Sequence, residues 1–174
     1  MQAINGDQGV DLGGGHRRMT EKFLNHAYIS STIKKVELEL GGNAPFIVFD
    51  DADIAAAAEG IAIAGYFNAG QDCTAATRVL VAPGAYADFV AALTEQAQSL
   101  RTGMPDDEDV LFGPLNNPNQ LAHVSGMVDR LPSHATVNAG GNKVGGNGYF
   151  FEPTVVSGLR QDDEMSQREI FGPV

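Results

Sequence analysis

The chain has 174 residues, 43% of them hydrophobic and 19% charged, which is the size and composition of one globular domain with a real core and not of a disordered tail. A formal net charge of −11 with no compensating basic stripe argues against nucleic-acid binding, and no apolar run of about 18 residues is present to span a bilayer. A single cysteine with no disulfide framework, and a polar Met1–Gly15 stretch with no hydrophobic signal core, fit a reducing cytoplasm.

Residues 1 to about 20 carry no periodicity, and Gly13-Gly14-Gly15-His16-Arg17-Arg18 reads as a flexible leader. Val36-Glu37-Leu38-Glu39-Leu40 then alternates apolar and acidic residues. That predicts a strand with one buried face and two glutamates on the other. Gly41-Gly42-Asn43 breaks it. Phe46-Ile47-Val48-Phe49 is a continuous apolar run, the pattern of a strand buried on both faces. A helix follows, capped by Asp51 or Asp53, with Ile54, Ala57, Ala58, Ile61 and Ala64 at helical spacing. Arg78–Val81 reads as the next strand, ended by Pro83-Gly84. Tyr86, Phe89, Val90, Leu93, Ala97 and Leu100 form an amphipathic helix.

A loop with the acidic cluster Asp106–Asp109 leads to a third helix marked by Leu121, Val124, Val128 and Leu131. Thr136-Val137 predicts a short strand and Gly140 to Gly148 a glycine-rich turn. Tyr149 to Val156 is extended but holds Pro153, which suits an edge or a bend. Strands and helices alternate, so the fold class is α/β with a largely parallel, three-layer sheet flanked by helices. A new element starts at Phe171–Val174, which reads as a cut piece of something longer.

Cys73 lies in Asn68-Ala69-Gly70-Gln71-Asp72-Cys73-Thr74, among polar and glycine residues uncommon around a buried filler thiol. A thiol of ordinary pKa, about 8.5, is only a few per cent thiolate at neutral pH, so a nucleophile here needs help. Arg78 is near in sequence, and Asp72 works the other way. Glu39 fits a solvated strand face shared with Glu37, or a general base aimed into a cleft. Gly41-Gly42 lacks the three spaced glycines of a dinucleotide fingerprint, and Gly140-Gly141 and Gly145-Gly146 read as turns. His16, His26, His123 and His134 are too scattered for a metal site, and His123 reads as a surface residue. No nucleophile-elbow signature marks a Ser-His-Asp hydrolase.

Three segments taken together resemble the NAD(P)-dependent aldehyde dehydrogenases. Glu39-Leu40-Gly41-Gly42-Asn43-Ala44-Pro45 is similar to that family's glutamate signature, and Phe67-Asn68-Ala69-Gly70-Gln71-Asp72-Cys73 to its cysteine signature. Glu169-Ile170-Phe171-Gly172-Pro173-Val174 resembles its later cofactor-contacting motif. Their order and the 34 residues from Glu39 to Cys73 match the family, and the likeness covers residues 33–174. Asp72 before the cysteine looks most like the aminobutyraldehyde branch.

The resemblance implies a division into a leader, 1–32, and a partial, truncated catalytic domain, 33–174. It implies Cys73 as the nucleophile that attacks an aldehyde carbon. Hydride loss to NAD or NADP leaves a thioester, and Glu39 activates the water that hydrolyses it. Glu169 would hold the nicotinamide ribose, Phe171 would pack near the ring, and Leu40 and Gly41 would line the pocket between cofactor and substrate. The family implies no metal, a small-molecule aldehyde such as 4-aminobutyraldehyde as substrate, and a homo-oligomeric parent. Much of the family's cofactor domain is absent, so two other readings stand beside the enzyme: a non-catalytic remnant or interaction module, and a cysteine hydrolase using Cys73 and Glu39.

Overall fold

The computed structural model describes residues 40–104 and 106–174, together with the backbone of 10–11 and 16–17. The chain divides into two compact units, Met1–Gly41 and Gly42–Val174. In the first, β1 (Val10–Asp11) pairs antiparallel with β2 (His16–Arg17), Val10 opposite Arg17. The segment read as a flexible leader thus contains a short paired ribbon. The predicted strand over Val36–Leu40 falls, for Val36–Glu39, outside the described residues, and Leu40 itself is in no strand.

The second unit is α/β. β3 (Pro45–Val48) pairs in parallel with β4 (Arg78–Val81), with Ile47 beside Leu80. The crossover between them is α1 (Ile54–Tyr66), the connection a parallel pair requires. Asp53 is its cap, accepting from the Ala56 N–H at 3.1 Å. Ala58, Ile61, Ala62, Gly65 and Tyr66 make its buried face. Gly65 allows the close approach: a Cβ there would stand 3.2 Å from the Ala76 carbonyl oxygen.

α2 (Tyr86–Ser99) packs beside α1, and α3 (Pro118–Asp129) begins at an Asn117 cap with proline at its first position. β5 (Thr136–Ala139) runs antiparallel to β6 (Val155–Ser157), and α4 (Glu164–Gln167) is one turn long. Among the described residues the strands thus form one parallel and two antiparallel pairs.

One expectation fails. The run at Phe46–Phe49 is buried only at Val48, while Ile47 is 61% and Phe49 65% exposed. Val48 joins Ala58, Ile61, Ala76 and Phe89 in a small core under α1 and α2. Ile47 and its neighbour Leu80, 44% exposed, are not part of that core. A larger core joins Tyr66, Ala69, Phe112, Leu115, Val124, Met127, Phe151, Met165 and Ile170. Tyr66 ties it together: its ring stacks on Phe112 at 6.4 Å, and its hydroxyl donates to the buried Thr154 carbonyl at 3.0 Å.

Candidate functional site

Cys73 sits where α1 ends and the chain must reverse toward β4. The helix gives way to a tight turn, Phe67–Gly70, in which three successive residues are left-handed: Asn68 (φ 51), Ala69 (φ 57) and Gly70 (φ 67). Asparagine and glycine tolerate this region, whereas alanine pays about 1–2 kcal/mol. Burial of the Ala69 methyl in the larger core offsets that strain. Gly70 is required for a second reason: a Cβ there would overlap the carbonyl oxygen of Gly172. A Cβ at Gly172 would in turn lie 2.5 Å from Val124 Cγ2 of α3. The cysteine loop and the segment at 169–174 therefore meet backbone to backbone at Gly70 and Gly172, and the Val124 side chain of α3 packs against Gly172.

Beyond that contact the chain rises to the surface, and Cys73 is exposed. Asp72 folds back as a local cap, its Oδ1 accepting from the Thr74 N–H and the Thr74 hydroxyl, each at 2.8 Å. These donors, the N–H first, hold the Asp72 carboxyl below the usual carboxylate range, and the Cys73 thiol donates to it as well. The Asp72 charge is thus engaged by its own turn.

The segment Glu169–Phe171 is held by α3 and by Asn43. Gln120 Nε2 donates to the Ile170 carbonyl at 3.0 Å and to the Phe171 carbonyl at 2.8 Å, which fixes Phe171 at φ 53. His123 Nε2 lies 3.2 Å from the Glu169 carbonyl oxygen, and Asn43 Nδ2 donates to the Arg168 carbonyl at 3.1 Å. Thr154 N–H donates to the Pro173 carbonyl at 2.9 Å. The preceding turn is fastened by Arg130, which grips Glu164 with two bonds of 3.1 Å, and by Asp163, which accepts from Arg160 N–H and His134 Nε2. The Arg160 N–H first and then His134 hold the Asp163 carboxyl low, as Arg130 does for Glu164.

Of the residues predicted from sequence, Cys73, Glu169 and Phe171 lie on loops that pack together through Gly70 and Gly172. Phe171 is 36% exposed. Leu40, 48% exposed, and Gly41, at φ 68, belong to the first unit. Glu39 lies outside the described residues. Sequence reasoning missed Gln71, Asn116 and Gln120 as supporting residues, and it read His123 as a surface residue. His123 is exposed, yet it reaches the Glu169 carbonyl. The spacing of Gln120 and His123, three apart on the helix face that carries Val124, was the available signal.

The Glu169 carboxylate oxygen Oε1 is buried with no hydrogen-bond partner among the described residues. Such an oxygen fits a diol donor, so the segment suits a ribose. A cavity of about 240 Å³ opens elsewhere, between β4 and β6, lined by Thr77, Arg78, Phe89, Val155 and Arg160. Neither Cys73 nor Glu169 lines it. Among the described residues no helix is long and apolar enough to cross a membrane.

The sequence profile of the Aldehyde dehydrogenase family matches residues 15–174. The chain belongs to this family. Among its relatives is a probable succinate-semialdehyde dehydrogenase (NADP+) of Sinorhizobium fredii, 44% identical over 146 residues, which cover 83% of this chain and 30% of that protein. Lactaldehyde dehydrogenase from Escherichia coli superposes with a TM-score of 0.75 at 41% identity, over 78% of this chain and 29% of that one. The NAD+ complex of aldehyde dehydrogenase from Bacillus cereus gives a TM-score of 0.75 at 36% identity, over 79% and 28%. The chain thus spans about a third of the length of the relatives it matches.

Proposed function

We propose that this chain carries the nucleophile of a cytoplasmic NAD(P)-dependent aldehyde dehydrogenase, and that 33–174 is part of its catalytic domain, preceded by a leader at 1–32 whose residues 15–32 already fall within the family match. The observation that carries the reading is the backbone contact of Gly70 with Gly172, which joins the Cys73 loop to the Glu169–Phe171 segment. Cys73 adds to the carbonyl carbon of a small aldehyde, its backbone N–H standing as an oxyanion donor. Glu169 and Phe171 would hold the nicotinamide ribose and ring, with Leu40 and Gly41 on the substrate side. NAD or NADP, when bound, would supply the acceptor for the hydride that leaves the Cys73 adduct as it becomes a thioester. Glu39 then acts as general base on water, releasing the carboxylate and returning the thiolate.

An aminoaldehyde such as 4-aminobutyraldehyde is the substrate proposed from Asp72. Its carboxylate is occupied by Thr74, so it would act on an ammonium group through its field and not by direct contact. The parent protein is proposed to be a homo-oligomer that needs no metal.

The test is the rate at which iodoacetamide alkylates Cys73 at neutral pH, compared with a small-molecule thiol. An activated nucleophile reacts faster than that reference. A rate no faster overturns the activation of Cys73 in this chain and favours the non-catalytic remnant.

A further inference from the structure

We propose that Gln71 is the positioning residue of the nucleophile loop, fixing where Cys73 emerges without touching the reacting atoms. This rests on the reading of Cys73 as nucleophile. The loop contains two non-glycine residues in left-handed conformation, Asn68 and Ala69, directly followed by left-handed Gly70. Such a stretch persists only where its surroundings over-determine it. Gln71 supplies that constraint with its backbone and with both ends of its carboxamide.

Three bonds close the stretch on itself. The Gln71 N–H donates to the Asn68 carbonyl at 3.1 Å, Gln71 Nε2 donates to the same oxygen at 3.2 Å, and Asn68 Nδ2 donates to the Gln71 carbonyl at 3.0 Å. The remaining atom, Gln71 Oε1, accepts from the Asn116 N–H at 2.8 Å, across 45 residues of sequence. Asn116 precedes Asn117, whose Oδ1 caps α3 by accepting from Gln120 N–H at 2.9 Å. Gln120 is the residue that clamps the Ile170 and Phe171 carbonyls. One carboxamide therefore links the nucleophile loop to the helix that fixes the cofactor-motif segment. Cys73 follows it by two residues, with only Asp72 between them, so rotation of the loop about Gln71 moves the thiol directly.

The experiment uses the whole chain as wild type, Gln71→Ala and Gln71→Glu. Glutamate keeps an acceptor for the Asn116 N–H and loses the donor to Asn68. Three quantities are measured: hydrogen exchange at the Asn116 amide, alkylation by iodoacetamide, and acylation by p-nitrophenyl acetate. Alkylation reads access and ionisation of the thiol, whereas acylation also needs its orientation. Gln71→Ala is expected to speed Asn116 exchange about three- to tenfold, the loss of one ordinary hydrogen bond. It is expected to slow acylation about tenfold or more, as a displaced nucleophile does, with alkylation within about twofold of wild type. Gln71→Glu is expected to keep Asn116 protected and to recover part of the acylation rate.

Wild-type acylation in Gln71→Ala, an equal fall in alkylation and acylation, or unchanged Asn116 exchange would each overturn the positioning role. If the wild-type protein is not acylated, the nucleophile reading falls and takes this one with it. Failure confined to the variants removes only the role of Gln71. Should Gln71→Ala not fold by circular dichroism, Gln71→Glu decides alone: slower acylation at unchanged alkylation supports the role, and wild-type acylation overturns it.

Discussion

Replacing Gly70 by alanine tests the contact on which the site is built. Two costs add. An L-residue at φ 67 carries about 1–2 kcal/mol of backbone strain. The new Cβ would also overlap the Gly172 carbonyl oxygen, which is backbone and cannot rotate away. Relief requires the 170–173 segment to retreat, giving up a bond such as Thr154 N–H to the Pro173 carbonyl, with a net value of about 0.5–1.5 kcal/mol. The total is about 1.5–3.5 kcal/mol. With a urea dependence of about 2 kcal/mol per molar, the unfolding midpoint drops by about 0.8–1.8 M.

Gly60→Ala is the control, because it sits within α1 with nothing within 4 Å of an added Cβ. There alanine is expected to stabilise by about 0.5–1 kcal/mol through helix propensity. Urea titrations of both variants by circular dichroism decide it. A cost below about 1 kcal/mol for Gly70→Ala would refute the close packing of the two loops.

Two further outcomes follow from buried and paired groups. Tyr66→Phe removes the donor to the Thr154 carbonyl, leaves a buried acceptor unmatched and is expected to cost about 1–3 kcal/mol in the same titration. Burial also pushes the Tyr66 phenol above its ordinary pKa of 10.0, so the wild type loses stability as pH rises past that value. Thermal melts at alkaline pH are expected to show a shallower loss in the phenylalanine variant. The Asp163 carboxyl is held below its ordinary pKa of 3.8, so its contribution is present above that value and is lost as pH falls through the lower folded-state value. Melts across acidic pH are expected to show that slope in the wild type and a flatter one in Asp163→Asn.

The α/β alternation was legible because each element carries its own local signal. Asp53 caps α1, Pro83-Gly84 stops β4, and α2 repeats its apolar positions at helical spacing. Burial was less legible at Phe46–Phe49, because an apolar run does not state which neighbours cover it. Five described candidates came from motifs, Cys73, Glu169, Phe171, Leu40 and Gly41, and the first three lie on loops that pack together. Their supports could not be read that way. Gln71 meets Asn116, and Gln120 meets Phe171, across 45 and 51 residues of chain. Nothing local in a glutamine marks it as half of a long-range bond. The left-handed Ala69 is hidden for the same reason, since its strain is offset by a core that forms only in three dimensions.

The most direct test of the central claim is peptide mass spectrometry of the protein treated with p-nitrophenyl acetate. The account predicts one acetyl group on the peptide containing Cys73, no such adduct in Cys73→Ala, and a longer-lived adduct in Glu39→Gln. An unmodified Cys73, or an acyl group that turns over equally fast without the Glu39 carboxylate, would contradict it.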